Sequence, residues 1–184
     1  MHQGKNISMR IYNLIAAISG APMPGALISL GSNIDPQDHI QAGARALRER
    51  FGESLRMSRL YWADAVGFDG ATFINAAALL QTELGPAELS ERLGEIEHEQ
   101  GRIRSGERFS DRTLDIDLLT WGDAHGRIEG VELPRPELHQ FGYVLVPVCD
   151  LTPAGLHPTL RIPYRELLLK LPKSEQTLRP LTSG

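Results

Sequence analysis

Cysteine is almost missing: Cys149 stands alone in 184 residues, so no internal disulfide can form and no cysteine cluster can hold zinc. Aromatic residues make up only 6% of the chain. No apolar run reaches the roughly 20 residues that a bilayer-crossing helix needs. A basic surplus is lacking as well. Lys and Arg number 19 against 23 Asp and Glu, a formal net charge of −4, which argues against a general nucleic-acid binder. There is no Gly-x-x-x-x-Gly-Lys-Ser/Thr loop and no protein-kinase signature, so any phosphates must be held another way. Repeats, low-complexity tracts and long charge blocks are also absent.

What remains is an ordinary globular composition, 41% apolar and 23% charged, of a length that suits one domain. Residues 25–184 read as that single domain, and residues 1–24 as a dispensable N-terminal extension. The run Ile11 to Ile18 behind Lys5 and Arg10 faintly resembles a signal peptide, but Asn13 interrupts it. Met9 and Met23 are alternative natural starts. The expected location is the cytoplasm, with no membrane or nucleic-acid partner, and a monomer is expected. Cys149, in the apolar stretch Tyr143 to Leu151, reads as a small buried hydrophobe.

Hydrophobic patterning gives an element order. Ala26 to Leu30 is a short apolar strand ending in the turn Gly31-Ser32-Asn33. Asp35-Pro36 opens a helix, with the aspartate as cap, and Ile40, Ala44, Leu47 and Phe51 form its apolar stripe up to Gly52. Arg59–Trp62 and Phe73–Glu83 are strand candidates around a loop holding Gly67 and Gly70. Gly85-Pro86 starts a second helix with Leu89, Leu93 and Ile96 on one side, stopped at Gly101. Thr113–Trp121 is the last strand. Strand, helix, strand, strand, helix, strand is the order of a ferredoxin-like α+β sandwich, an antiparallel sheet with helices on one face. From Pro134 onward the chain reads as proline-rich loop and short apolar segments, closing on an amphipathic turn at Tyr164 to Leu171.

The chemistry concentrates between Gly101 and Leu119. On a strand, Leu114, Ile116 and Leu118 point one way and Asp115 and Asp117 the other, with the carboxylates about 7 Å apart. Such a pair suits a hard cation, and magnesium takes one or two protein carboxylates plus substrate phosphates. Alone, an Asp-x-Asp is more often a solvated strand face. The preceding loop changes the balance. Arg102, Arg104, Arg108 and Arg112 meet only Glu107 and Asp111 over eleven residues, a local surplus of +2 in an acidic chain. Arginine forks suit phosphate, and Ser105-Gly106 gives the loop freedom to open and close as a lid.

With these residues in view, the chain resembles the 6-hydroxymethyl-7,8-dihydropterin pyrophosphokinases of folate biosynthesis. Arg-Thr-Leu-Asp-Ile-Asp-Leu-Leu (112–119) is the strongest mark. Leu30-Gly31-Ser32-Asn33, Phe73-Ile74-Asn75-Ala76-Ala77 and Glu97-x-x-Gln100-Gly101-Arg102 support it. The resemblance spans about Gly25 to Pro158. It implies that ATP gives its pyrophosphoryl group to the hydroxyl of hydroxymethyl-dihydropterin, with AMP leaving. Asp115 and Asp117 would hold two magnesium ions, and with Arg102 and Arg112 would form the catalytic set. Glu97, Arg102, Arg104, Arg112, Leu118 and Arg135 would line the ATP side. Phe73 and Tyr143 would sandwich the pterin, with Asn75 reading its polar edge and Phe109 standing where the family's lid carries tryptophan.

Three departures stand out. Arg135 follows Pro134 where the family usually has histidine, Phe141 replaces an arginine, and Ala63-Asp64-Ala65 replaces Thr-Pro-Pro. They leave open an alternative, a paralogue that binds nucleotide or pterin without turnover. A ferredoxin-like RNA-binding module is a weaker third reading, because exposed aromatics on central strands and a basic face are both absent.

Overall fold

The computed structural model describes residues 25–67, 70–102, 111–176 and 178–182. The extension 1–24 and residues 103–110, with Arg104, Phe109 and most of the expected lid, lie outside the described residues. The first half runs β1 (Gly25–Ser32), α1 (Pro36–Phe51), β2 (Arg56–Met57), β3 (Tyr61–Ala63), β4 (Phe73–Gln81), α2 (Pro86–Glu99) and β5 (Asp115–Trp121), the expected order with one short strand, β2, added. Then come a small hairpin, β6 (Gly126–Ile128) and β7 (Val131–Leu133), and the helices α3 (Glu137–Gln140), α4 (Gly142–Leu151), α5 (Tyr164–Lys170) and α6 (Lys173–Gln176). A last short strand, β8 (Arg179–Pro180), follows.

The main sheet runs β5-β1-β4-β3-β8, antiparallel throughout, with β2 also on β4. This is the ferredoxin-like arrangement. In α1, Ile40 and Leu47 are buried as the stripe requires, and Pro36 occupies the first turn. Asp35 stands at the cap position, but in a left-handed conformation (φ 42°) and without a side-chain capping bond. Its carbonyl instead accepts the amides of Asp38 and His39, each at 3.1 Å. In α2, Leu89, Leu93 and Ile96 are buried against the sheet.

Two cores form, one on each side of the sheet. Ile28, Leu30, Ile74, Ala76, Leu80, Leu114, Ile116 and Leu118 pack with α1 and α2. Leu27, Ala77 and Leu119 pack with Leu138, Val144, Leu145, Val148, Tyr164 and Leu167 on the opposite side. Helices therefore cover both faces, not one as expected. The chain after Pro134 carries four helices, α3 to α6, where the sequence reads mostly as loop, and residues 152–163 between α4 and α5 are not helical. Pro147 inside α4 has no N–H to give, yet burial of Val144, Leu145, Val148 and Leu151 keeps the segment helical. Cys149 is half-buried at the edge of this second core, and burial pushes its thiol up to about 11.

A bulge interrupts β5 at Leu119. Leu27 pairs with Thr120 and Ile28 with Leu118, so Leu119 has no register partner. Its carbonyl accepts the Arg135 amide at 2.9 Å, which ties the segment after β7 alongside Asp117.

Gly43 brings α1 close to the start of β5. A Cβ there would lie 2.8 Å from Leu114 Cδ2. Leu114→Ala should cost about 2–5 kcal/mol in urea unfolding, as for other fully buried leucines. Gly43→Ala should destabilise the native protein by overpacking. In the Leu114→Ala background the same change should stabilise, by up to about 1 kcal/mol from helix propensity and cavity filling. Strictly additive effects in the double-mutant cycle would show that the two positions do not share this contact.

Candidate active site

Strand register assembles the site. Asp115 pairs with Gly31, Gly31 with Asn75, and Asn75 with Tyr61, so these four form one row across the sheet. Asp117, Ser29 and Ala77 form the next row. Directly paired residues share a face. With strands about 4.8 Å apart, the Asp115 and Asn75 positions are separated by roughly 10 Å, with only a glycine between them. Phe73, two residues from Asn75 along β4, shares that face. A Cβ on Gly31 would meet Asn75 Oδ1 at 3.4 Å and Phe73 Cδ1 at 3.8 Å, so glycine keeps the middle of the row low. The same face carries α4 over Ala77 and Leu119, leaving the Asp115 end uncovered by that helix.

The carboxylates and arginines of the site are mutually paired. Glu97, only 2% exposed on α2, accepts the Ile116 amide at 2.7 Å and pairs with Arg102. Arg102 also reaches one oxygen of Asp115, and Arg112 reaches the other. Asp117 pairs with Arg135 at 2.9 Å, and Arg135 Nε lies 3.6 Å from Glu137. Three guanidinium groups thus face four carboxylates among the described residues. Burial raises the pKa of Asp117, the neighbouring Asp115 charge raises it further, and Arg135 opposes both.

Asn33 holds the C-terminal end of the arginine-rich loop. Its Nδ2 donates to Asp111 at 2.6 Å, its Oδ1 accepts the Arg112 amide at 2.7 Å, and its own amide donates to the Arg112 carbonyl at 3.1 Å. Gly31-Ser32-Asn33 reads in sequence as a turn and a family mark, but Gly31 and Ser32 continue strand β1 and only Asn33 lies beyond it, and no role followed from the pattern. This clamp is not visible in sequence, since it depends on segments meeting in space.

On the other side of Gly31, Asn75 is 6% exposed and its Nδ2 is buried without a hydrogen-bond partner among the described residues. Such an orphaned donor is uncommon and points to a missing partner. Tyr143, near the start of α4, stacks on Phe141 with centroids 5.1 Å apart and 22° between planes. Burial and then Glu137 push its hydroxyl up to about 12, with the field of Arg112 opposing and that of Asp115 and Asp117 adding. Tyr61 is structural: its hydroxyl donates to Asp150 of α4 at 2.8 Å. The side chain of Leu118 sits in the core on the far face, so the nucleotide contact expected there could fall only to its backbone.

The sequence model of the 7,8-dihydro-6-hydroxymethylpterin-pyrophosphokinase family matches residues 27–153. The 2-amino-4-hydroxy-6-hydroxymethyldihydropteridine pyrophosphokinase of Pseudomonas aeruginosa is 37% identical over 74% of this chain and 82% of its own length. The enzyme of the same name from Aquifex aeolicus is 30% identical over 86% and 96%. Among solved structures, Plasmodium falciparum HPPK-DHPS superposes with a TM-score of 0.58 at 13% identity, a likeness of fold, over 79% of this chain and 44% of that longer one. With this fold and these relatives, the chain belongs to the 7,8-dihydro-6-hydroxymethylpterin-pyrophosphokinase family.

Proposed function

We propose that this protein transfers the pyrophosphoryl group of ATP to the hydroxyl of 6-hydroxymethyl-7,8-dihydropterin in folate biosynthesis. The pterin hydroxyl oxygen bonds to the β-phosphorus as its O–H proton is released to solvent, the bond from that phosphorus to the oxygen bridging it to the α-phosphorus breaks, and AMP leaves with that oxygen. The observation that carries this reading is a single row of residues: an arginine-flanked carboxylate at Asp115 and, across Gly31, the buried Asn75, whose Nδ2 has no hydrogen-bond partner among the described residues.

Each end has a chemistry. The Asn75 Nδ2 donor matches an acceptor on the edge of a flat heterocycle, and Phe73 supplies an apolar face on the same side of the sheet. Tyr143 would close the other face of the ring. At the carboxylate end, Arg102 and Arg112 are already placed beside Asp115, where a polyphosphate would sit. Catalysis of this kind is mainly alignment and neutralisation of charge.

Asp115 and Asp117 fit two magnesium ions. They are neighbouring hard oxygen donors whose mutual repulsion, which adds to burial in raising the pKa of Asp117, a divalent cation relieves, and one or two carboxylates are what magnesium usually takes from a protein. The ions would draw charge from the phosphates in the transition state. Among the described residues the cluster holds four carboxylates to three guanidinium groups, so cations on the carboxylates would ease the entry of a triphosphate. The arginines that now pair with Asp115 would turn to the phosphates as the cations take the carboxylates.

The departures also support turnover rather than an inert binder. Arg135 lies against Asp117, so a permanent cation stands where the family's histidine would. Phe141 packs on Tyr143 and so belongs to the support of the pterin side.

The protein mixed with ATP, magnesium and hydroxymethyl-dihydropterin should release AMP. Asp115→Ala and Asp117→Ala should each remove nearly all of it with the circular-dichroism spectrum unchanged. Asn75→Leu should weaken pterin binding by about tenfold or more while ATP binding holds. AMP release that survives either aspartate change would end the assignment of the carboxylate pair.

Asp117 also gives a stability prediction. Its folded pKa is raised, so the folded state binds the proton more tightly than the unfolded chain. Stability therefore falls as pH rises from the ordinary carboxylate range through the raised value. Asp117→Asn should melt at a higher temperature than the native protein at pH 7, with the difference shrinking in acid. A lower melting temperature at pH 7 would mean that the Arg135 pair outweighs the cost of burial.

A further inference from the structure

The C-terminal segment is built onto the pterin side of the site. Strand β8 extends the sheet beyond β3, pairing Tyr61 with Pro180 and Trp62 with Arg179, and the Leu181 amide donates to Leu60 at 2.8 Å. Just before it, α6 is fastened to the end of α5 by Gln176, whose Nε2 donates to the Leu171 carbonyl at 2.7 Å. Glu175, on α6, accepts the Gly142 amide at 2.8 Å. That amide is the first N–H of α4, which no bond within the helix can satisfy, and a carboxylate there also suits the positive end of the helix dipole.

The contact leaves no slack. A Cβ on Gly142 would lie 1.8 Å from the carbonyl oxygen of Glu175, so the two backbones touch, and only glycine permits it. The next residue is Tyr143. At its other end α4 is tied by Asp150 to Tyr61 and to Arg59, the latter at 2.7 Å. Both ends of the helix that presents Tyr143 are therefore fixed by side chains.

Between these contacts lies a cavity of about 290 Å³ bounded by Trp62, Ala63, Asp64, Tyr143, Glu175 and Arg179. Ala63 is the register partner of Phe73, so the cavity adjoins the face that carries Phe73 and Asn75. The Ala63-Asp64-Ala65 loop, a departure from the family pattern, forms its floor together with the C-terminal segment.

We infer that Glu175 is a positioning residue for Tyr143, and that α6 and β8 form the outer wall of the pterin pocket and set its affinity for pterin. The inference rests on the reading of Tyr143 as one face of the pterin sandwich. Glu175 does not touch the ATP side, so its effect should be confined to one substrate.

Steady-state kinetics on the full chain, with thermal melting as a control, test this in three variants. Glu175→Ala should raise the pterin KM about tenfold, since a small misplacement of a substrate-positioning group is costly, while the ATP KM and the melting temperature hold. Glu175→Gln keeps an acceptor for the Gly142 amide and should return the pterin KM close to native. Tyr143→Ala should raise the pterin KM at least as far as Glu175→Ala. If Tyr143→Ala raises it and Glu175→Ala does not, the inference about Glu175 fails and the sandwich stands. A Tyr143→Ala protein with native pterin KM would overturn the sandwich and the inference together. A Glu175→Ala protein that loses melting temperature and affinity for both substrates alike would show an ordinary structural contact and would also overturn the inference.

Discussion

Glu97 carries a carboxylate into a place where water hardly reaches, and much of the site follows from how that charge is satisfied. A buried ion is tolerated only when paired and hydrogen-bonded. Glu97 meets both conditions by accepting the Ile116 amide and pairing with Arg102. The first bond fixes α2 to β5 at the level of the aspartate pair. The second swings Arg102, just past the end of α2, back over the strand, where it meets Asp115. Arg112 then completes Asp115 from the other side, and Asn33 holds the backbone of Arg112. A core contact of the helix layer thus becomes the fixed point from which the phosphate side is laid out.

The self-pairing of charges has a functional meaning. Carboxylates and guanidinium groups set close together without partners would repel and destabilise the sheet edge. Paired, they form a ready but occupied site, in which each arginine trades one anion for another when polyphosphate arrives. Such an exchange involves little net change in hydrogen bonding, so binding energy remains for alignment of the pterin hydroxyl with the β-phosphorus. Asp117, with its raised pKa, is where the exchange has most to relieve.

Much of this was legible in the chain. The alternation of Leu114, Ile116 and Leu118 with Asp115 and Asp117 and the stripe on α1 declare their periods directly, and β4 shows itself as a run of small and aliphatic residues. The arginine-rich loop declares its charge. The second helical layer was not legible, because Gly142 to Leu151 is apolar on nearly all sides and contains Pro147, so it shows neither helical periodicity nor freedom from breakers. Its helicity comes from tertiary burial. Asn33 and Glu175 were hidden for another reason. Each acts on a residue from a distant segment, as Asn33 does on Asp111 across 78 positions, and no local pattern marks such a meeting. Gly142 is a case between the two. Its residue type hints at a close approach, but only the fold shows that Glu175 makes it.

The claim at the centre of this account is that arginines occupy Asp115 and Asp117 until phosphates draw them away. Manganese, as a paramagnetic substitute for magnesium, tests it by electron paramagnetic resonance of the free ion. The account predicts weak uptake by the protein alone, strong uptake once a non-hydrolysable ATP analogue is added, and loss of the protein's share of that uptake, relative to analogue alone, in Asp115→Ala and Asp117→Ala. Tight manganese binding without nucleotide, or nucleotide-dependent uptake that both alanine variants retain in full, would contradict it.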